Sequence, residues 1–312
     1  MIQFTVVIPT YNRTEFLIEA IRSVYAQTFE SWEILVIDDG SDVPAGSSLR
    51  EFEGDRRFRY VYHRNIGVGA TRQTAVNLAR GKYLCYLDDD DYFLPHHLGL
   101  LYGAMQDNHH QIALYKTGII QIDEQGSELL SIQYSRDRSM LEQHWLYADS
   151  LLPYAVPREV AIRIPSVQYY FAQDFNWLAR LMLDLPVIQI DEYSVVYRWH
   201  GSNRTASITN HQALTGRLNA VQDLYEIPAM VQAIRRSTYL RMMAHQVLHY
   251  CRLCARKSKY SEAGKKFFFA LKYLNHRSLF EYAYTFYIIM RTLSGSRLYV
   301  KFSHWTRKQK QV

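Results

Sequence analysis

The stretch LCYLDDDDYFLP, Leu84–Pro95, sets four consecutive aspartates directly after an apolar run. Neighbouring carboxylates repel one another, and each is ionised at neutral pH unless its surroundings forbid it. Crowding them at the end of a segment that reads as a buried strand calls for a compensating positive charge. On an extended segment side chains alternate with period two, which would send Asp88 and Asp90 one way and Asp89 and Asp91 the other. Two carboxylates on one side suit a hard divalent cation, Mn2+ or Mg2+, which accepts one or two protein oxygens and completes its shell with water and phosphate. An isolated acidic run is ordinarily a solvated loop. The apolar run before it, and polar clusters elsewhere, argue for the cation.

Those clusters sit at strand ends. Gln3–Pro9 is a β-branched run closed by proline, and Thr14–Gln27 places Phe16, Leu17, Ala20, Ile21 and Val24 on one helical face, with Thr14 as its expected N-cap. Glu33–Asp38 and Phe58–His63 read as strands, Ala70–Ala79 as a helix stopped by Gly81, and Tyr83–Leu87 as a fourth strand. Alternation of strands and helices predicts a mainly parallel sheet with right-handed crossovers, whose ligands bind beyond the carboxyl ends of the strands. Thr10–Arg13, Asp38–Ser41 and Asp88–Asp91 all fall at such ends. Further on, the pattern predicts a hairpin around Asp123–Gly126, a helix over Ala172–Leu183, strands at Val187–Ile190 and Ser194–Trp199, a loop over Gly201–Asn210, and helix almost throughout 211–293. Lys301–Val312 reads as a basic tail.

Composition divides the chain near residue 210. Of 312 residues, 48% are hydrophobic and 21% charged, which suffices for a sizeable core. Residues 1–212 hold 18 Lys and Arg against 26 Asp and Glu, net −8, whereas residues 213–312 hold 18 against 4, net +14. We therefore expect one domain over 1–210 and a basic α-helical region over 211–312, the latter suited to an anionic partner. Three cysteines favour a reducing compartment over a disulfide scaffold. No signal peptide is visible, and the uncharged run between Glu281 and Arg291 falls far short of the ~20 residues that span a bilayer. Aromatic clusters among Lys and Arg in the last third suit a peripheral contact with an anionic membrane. No nucleic-acid-reading module accompanies the charge.

Taken together, VVIPTYNR (6–13), VIDDGS (36–41), NIGVGATRQTAVNLARGKYLCYLDDDD (65–91) and Gln173-Asp174 resemble a family 2 glycosyltransferase of the GT-A fold, over roughly residues 2–205. The resemblance implies an inverting, nucleotide-sugar-dependent enzyme. Pro9, Thr10, Tyr11 and Arg13 would lie along the nucleotide-sugar, and Asp39 would accept a hydrogen bond from a uracil N–H. Arg72 would order the site or face the diphosphate. Asp90 would ligate the cation, with Asp88 or Asp89 reaching ribose or a bound water; the register of four aspartates leaves Asp88 open as a second metal ligand. Asp174 would be the general base that a sugar hydroxyl requires, and His200, in YRWHGSNRT (197–205), a further candidate ligand.

The chain departs from the family in two places. Gln173 stands where a glutamate usually precedes the base, and Val195 stands where processive relatives have the glutamine that begins a motif ending like Arg198-Trp199. With no spanning helix, the departure at Val195 argues for transfer of a single residue rather than polymer extrusion. The resemblance implies a role in surface polysaccharide biosynthesis with a glycan or lipid-linked acceptor, the latter suggested by the basic helices. We expect a cytoplasmic enzyme with a peripheral contact at the inner face of the plasma membrane. An alternative is an inactive module that only binds sugar-nucleotide or membrane.

Two other signals are weaker. Gly67-Val68-Gly69 after a strand resembles a dinucleotide fingerprint of an NAD(P)-dependent oxidoreductase, but Arg72 occupies the position where close helix–strand packing needs a small residue. His245, His249, Cys251 and Cys254 have metal-like spacing. At roughly 100° per residue, however, the histidines and cysteines face opposite sides of a helix.

Overall fold

A computed structural model describes residues 2–133, 139–147, 150–167, 172–201, 203, 211–256, 259–273 and 279–294. Residues 202 and 204–210 of the loop expected over 201–210, and the basic tail from 301, lie outside these. The described chain runs β1 (Phe4–Thr10), α1 (Thr14–Tyr25), β2 (Trp32–Asp38), β3 (Phe58–Tyr62), α2 (Val68–Leu78), β4 (Tyr83–Tyr86), β5 (Tyr92–Phe93), α3 (His97–Asp107), β6 (Leu114–Ile122), β7 (Glu128–Ile132), α4 (Met140–Tyr147), β8 (Tyr154–Pro157), α5 (Arg158–Arg163), α6 (Gln173–Asp184) and β9 (Val187–Arg198). Helices α7 (His211–Tyr225), α8 (Pro228–Ala233), α9 (Arg236–Arg256), α10 (Tyr260–Ala270) and α11 (Leu279–Ser294) follow.

The strands form one mixed sheet in the order β3-β2-β1-β4-β8-β6-β9-β5, with β7 paired to β6. Strands β3, β2, β1 and β4 are mutually parallel, β8 enters antiparallel between β4 and β6, and β6 and β9 are parallel again. The first strands are apolar at almost every position because both faces are covered. Val6, Ile8, Ile34, Val36 and Cys85 pack with Leu17, Ile21 and Val24 of α1 on one face. Val7, Leu35, Ile37, Leu84 and Tyr86 pack with Ala75 and Val76 of α2 and with Trp177, Leu178 and Leu181 of α6 on the other.

A buried polar clamp sets the stagger of the three central strands. Glu33, on β2, accepts from Thr5 Oγ1 at 2.8 Å and from the Arg80 amide at 2.7 Å, while Thr5 Oγ1 accepts the Gly81 amide at 2.9 Å. A Cβ on Gly81 would lie 2.5 Å from the Thr5 backbone nitrogen, so only glycine lets the chain enter β4 this closely.

The structure departs from the sequence reading at the cap of α1 and at β9. Arg13, not Thr14, caps α1, without a side-chain capping bond. The strands expected separately at 187–190 and 194–199 are one, β9, whose pairing with β6 shifts register around Gly118. Tyr193 fills the space that a side chain at Gly118 would need: a Cβ there would lie 2.6 Å from its ring. The 123–126 hairpin is present, closed by the Asp123 carboxylate, which accepts the amides of Gln125 and Ser127.

The chain forms two compact units, Met1–Ile208 with Gln222–Ala233, and Thr209–Val221 with Ile234–Val312. The single boundary expected near 210 is thus crossed again, because 222–233 packs with the first unit, where Tyr225 meets Trp145 edge-on at 6.3 Å. The second unit has its own core, including Leu214, Val247, Leu248, Cys251, Cys254 and Tyr282. Cys251 and Cys254 are buried there as free thiols, both pushed above the ordinary thiol range by burial. Among the described residues, no helix is long and apolar enough to cross a membrane.

One buried group couples the first unit to pH. His97, at the start of α3, sits with Nδ1 2.8 Å from Ser194 Oγ on β9. Burial, with a smaller contribution from His96, lowers its pKa from 6.5 to about 3. The folded protein keeps this ring neutral, whereas the unfolded chain protonates it below 6.5. Its contribution to stability is therefore complete above pH 6.5 and is lost as pH falls toward 3, at about 1.4 kcal/mol per pH unit. Buried aspartates with raised pKa values act in the opposite sense, so the comparison is between the wild type and His97→Asn. The stability gap between them, followed by urea denaturation, is expected to be widest near neutrality and to narrow steadily below pH 6.5. A gap that stays constant over that range would refute the assignment.

Candidate functional site

The aspartate run does not continue the strand. β4 ends at Tyr86, and the Asp91 amide donates to the Asp88 carbonyl at 3.1 Å, so residues 88–91 turn. The expected alternation of Asp88 and Asp90 against Asp89 and Asp91 does not hold. A turn directs each carboxylate separately, and the four have four different sets of partners.

Asp88 accepts from Arg72 Nη2 at 3.1 Å. Asp89 accepts from Thr10 Oγ1 at 2.7 Å and lies 3.4 Å from Arg13 Nη1. Oδ2 of Asp90 accepts from Arg13 Nη1 at 2.5 Å and Asn203 Nδ2 at 3.3 Å and lies 3.2 Å from His200 Nε2. Asp91 Oδ1 accepts the Arg198 amide at 2.8 Å, while its buried Oδ2 has no partner among the described residues. Burial raises Asp89 to about 7, reinforced by Asp90 and Asp88 and opposed by Thr10 and Arg13. Asp91 is pushed well above the usual carboxylate range by burial and by Asp88 and Asp90. Asp88 is also raised by burial, then by Asp90 and Asp174 against Arg72; solvent reaching 38% of its side chain tempers the first of these.

Neighbouring elements bring the remaining groups. After β1, Asn12 adopts a left-handed φ of 56° and ties two loops together, its amide donating to Ser41 Oγ at 2.9 Å and its side chain pairing with Asp42. Pro9 is buried within β1 beside Ile37, and Tyr11 is exposed. Asp38 is a structural anchor, accepting the Ser41 and Ala45 amides and the Tyr60 hydroxyl. These bonds hold its pKa below the usual range although burial alone would raise it. Asp39 accepts the amides of Ile66 at 2.8 Å and Gly67 at 3.0 Å. Gly40, at φ 81°, permits this approach: a Cβ there would lie 2.4 Å from the Asn65 backbone nitrogen.

Asp174 lies in the first turn of α6, entered through Ala172 at a left-handed φ of 63°. Its carboxylate accepts the Phe175 amide at 3.0 Å, and its charge acts on both Arg72 and Asp88. His200 stacks on Phe16 of α1 with ring centroids 5.2 Å apart. Arg198 pairs with Glu19 at 2.5 Å and lies over the Tyr92 ring at 4.8 Å. The fold thus gathers Thr10, Arg13, Arg72, Asp88, Asp89, Asp90 and His200 into one network, with Asp174 within electrostatic reach. Tyr11 and Pro9 show no side-chain bond to it among the described residues.

Asn203 is the participant that sequence reasoning missed. It bridges Asp90, His200 Nε2 at 3.2 Å and the Arg198 carbonyl at 3.1 Å, and its Oδ1 accepts the His200 amide. A lone asparagine in a loop carries no chemical signal; only the fold of the segment after β9 shows its part.

The donor set suits a hard cation: carboxylates whose pKa values are raised by burial first and by mutual repulsion second, a buried Asp91 oxygen with no partner among the described residues, and an imidazole beside Asp90. Among the described residues no three such side chains gather closely enough to cage an ion alone. A cation here would draw further ligands from water and a bound phosphate, as Mg2+ commonly does.

A family model described as Glycosyl transferase family 2 matches residues 5–169, more than half of the chain, and the chain belongs to that family. It is 35% identical over 128 residues to an uncharacterized glycosyltransferase of Rickettsia bellii, covering 41% of this chain and 18% of that protein. It is 29% identical over 203 residues to an uncharacterized glycosyltransferase of Methanocaldococcus jannaschii, covering 62% and 70%. An Escherichia coli glycosyl transferase named for colanic acid biosynthesis, WcaA, is 33% identical over 106 residues, covering 33% and 37%. The matches to the rickettsial relatives span 18–21% of those proteins' length. The S. aureus TarS structure solved with UDP-GlcNAc superposes with a TM-score of 0.62 at 12% identity, covering 93% of this chain and 81% of that one, which shows a shared fold.

Proposed function

We propose that the chain is an inverting glycosyltransferase that moves a sugar from a nucleoside-diphosphate sugar, UDP-linked, to a hydroxyl of a glycan or lipid-linked acceptor. The observation that carries this reading is the meeting, beyond the strand ends, of the Arg72–Asp88 pair, the charge of Asp174 and the Asp90–His200 contact. Asp174 takes the proton of the acceptor hydroxyl, whose oxygen attacks the anomeric carbon as the bond to the diphosphate breaks on the opposite side. Arg72 and Arg13 supply fixed positive charge toward the departing diphosphate. Asp90, His200 and Asp88 are the residues that would hold Mn2+ or Mg2+, which neutralises the diphosphate when bound. Thr10 positions Asp89. With Pro9 and Tyr11 it also lines the approach of the nucleoside, and Asp39 reads the uracil ring.

The UDP-GlcNAc complex of TarS supports the donor class, and the colanic acid relative supports a role in surface polysaccharide biosynthesis. Free, buried cysteines accord with a reducing, cytoplasmic setting. Catalysis is assigned to the domain over 1–210, whose compact unit also takes in 222–233, and the rest of 211–312 is the basic helical region.

A thermal-shift screen of nucleotide-sugars with and without Mn2+ tests the reading. A UDP-sugar at about a hundred times its Kd contributes about 2.7 kcal/mol of stability, hence a melting point a few degrees higher, with Mn2+ strengthening the effect. Stabilisation by NAD(P) and by no nucleotide-sugar would overturn it. Donor binding with no transfer to any acceptor would point instead to an inactive binding module.

A further inference from the structure

Within the C-terminal unit, α10 and α11 leave aromatic side chains in solvent. Phe268 is 72% exposed and Phe286 54% exposed, and both rings meet Phe267, at 6.3 and 6.0 Å between centroids, so they form one patch across the two helices. Beside it, Phe269 and Leu271 are also exposed. Isolated surface apolar residues are common, but contiguous aromatic ones mark a contact surface. Cations frame this patch. Lys272 Nζ lies 3.8 Å from the Phe269 ring centroid and 4.6 Å from that of Tyr273, and Lys266 Nζ lies 5.7 Å from Phe269. Stems of this kind lie along apolar surface while their ammonium heads stay in water.

The charge decides which occupant fits. Residues 234–312 contain only two acidic residues, Glu262 and Glu281, and Glu262 is engaged by the Tyr250 hydroxyl. A second copy meeting this face symmetrically, through its own C-terminal region, would bring the same net +14 of residues 213–312 against itself. A nucleic acid would satisfy the cations and, if single-stranded, stack bases on the phenylalanines, but it offers nothing apolar to cover the aliphatic Leu271. A bilayer of anionic lipid satisfies both, since headgroups pair with the lysines and acyl chains receive the phenylalanines. No described helix can span, so contact is with the surface.

We propose that the α10–α11 face, through Phe268, Phe286, Lys266 and Lys272, docks onto an anionic lipid surface. Sedimentation of the full chain with vesicles tests this directly: binding is expected to phosphatidylglycerol-containing vesicles, to weaken with salt, and to be absent with phosphatidylcholine alone. Phe268→Ser with Phe286→Ser is expected to weaken vesicle binding about tenfold or more, and Lys266→Glu with Lys272→Glu comparably at low salt. Phe268, Phe286 and Lys272 are exposed whereas Lys266 is half-buried, so the phenylalanine pair and Lys272→Glu alone should leave melting temperature and the donor-induced thermal shift unchanged, which separates failure here from failure of the glycosyl-transfer reading. As a second probe, fluorescence of a Phe268→Trp variant should move to the blue on adding anionic vesicles and not neutral ones. Equal binding to neutral vesicles, indifference to all these substitutions, or a concentration-dependent dimer or RNA complex abolished by Phe268→Ser would overturn the proposal.

Discussion

Asp174→Asn is expected to lower kcat by about 10²–10⁴-fold while leaving donor binding and the fold nearly intact. The side chain is almost isosteric, and its Oδ1 still accepts the Phe175 amide that the carboxylate accepts at 3.0 Å, so the start of α6 retains its bond. What disappears is the capacity to take a proton, and a sugar hydroxyl is a poor nucleophile until it gives one up. Stability should change by less than about 1 kcal/mol, since loss of one carboxylate at a helix start forfeits only a dipole contribution of that order. The signature is thus a collapse in kcat with the donor's thermal shift preserved. A variant with undiminished transfer would remove Asp174 as the base, and Gln173 beside it offers no replacement carboxylate.

The second large effect should separate function from stability. Asp90→Asn is expected to abolish metal-dependent transfer, by about 10³-fold if the cation supplies several kcal/mol to the transition state, while melting temperature holds or rises. Asp90 adds repulsion to Asp88, Asp89 and Asp91, each of which titrates above its ordinary range in its presence. Removing one charge relieves the other three. Arg13, His200 and Asn203 converge on Asp90 Oδ2, and an amide oxygen can still accept from them. An amide is nevertheless a much weaker ligand for a hard cation than a carboxylate. Mn2+ titration followed by a melt resolves both halves. Retained metal dependence would displace the cation from Asp90, and a large drop in melting temperature would show that the residue is structural.

Much of the first unit was legible because its signals are local. Strands β1, β2 and β4 are continuous apolar runs, as doubly covered strands must be, and the polar clusters at their ends lie where parallel-sheet geometry places ligands. The tight turn at Gly40 was visible as Asp-Gly-Ser. Other features were not local. β8 is a four-residue strand between α4 and α5 with no pattern of its own, yet it pairs both β4 and β6. The continuity of β9 depends on Gly118, some seventy residues upstream, yielding space to Tyr193. The return of 222–233 to the first unit depends on contacts such as Tyr225 on Trp145.

The aspartate run shows where the line falls. By itself the sequence determined that four carboxylates and the Thr10–Arg13 cluster stand at strand ends and that a cationic partner must meet the carboxylates, for which residue type and strand-end placement suffice. Arg72, Asp174 and His200 were joined to them by the resemblance to family 2 glycosyltransferases, not by residue type or placement. Which carboxylate faces which partner was decided by tertiary structure alone. Period-two alternation applies only to an extended chain, and here the backbone turns at Asp88–Asp91, closed by its own hydrogen bond. The turn sends Asp88 to Arg72, Asp89 to Thr10, Asp90 to Arg13, His200 and Asn203, and Asp91 to the Arg198 amide. Those partners come from β1, α2 and the end of β9, and only their meeting in three dimensions gives each carboxylate its own role.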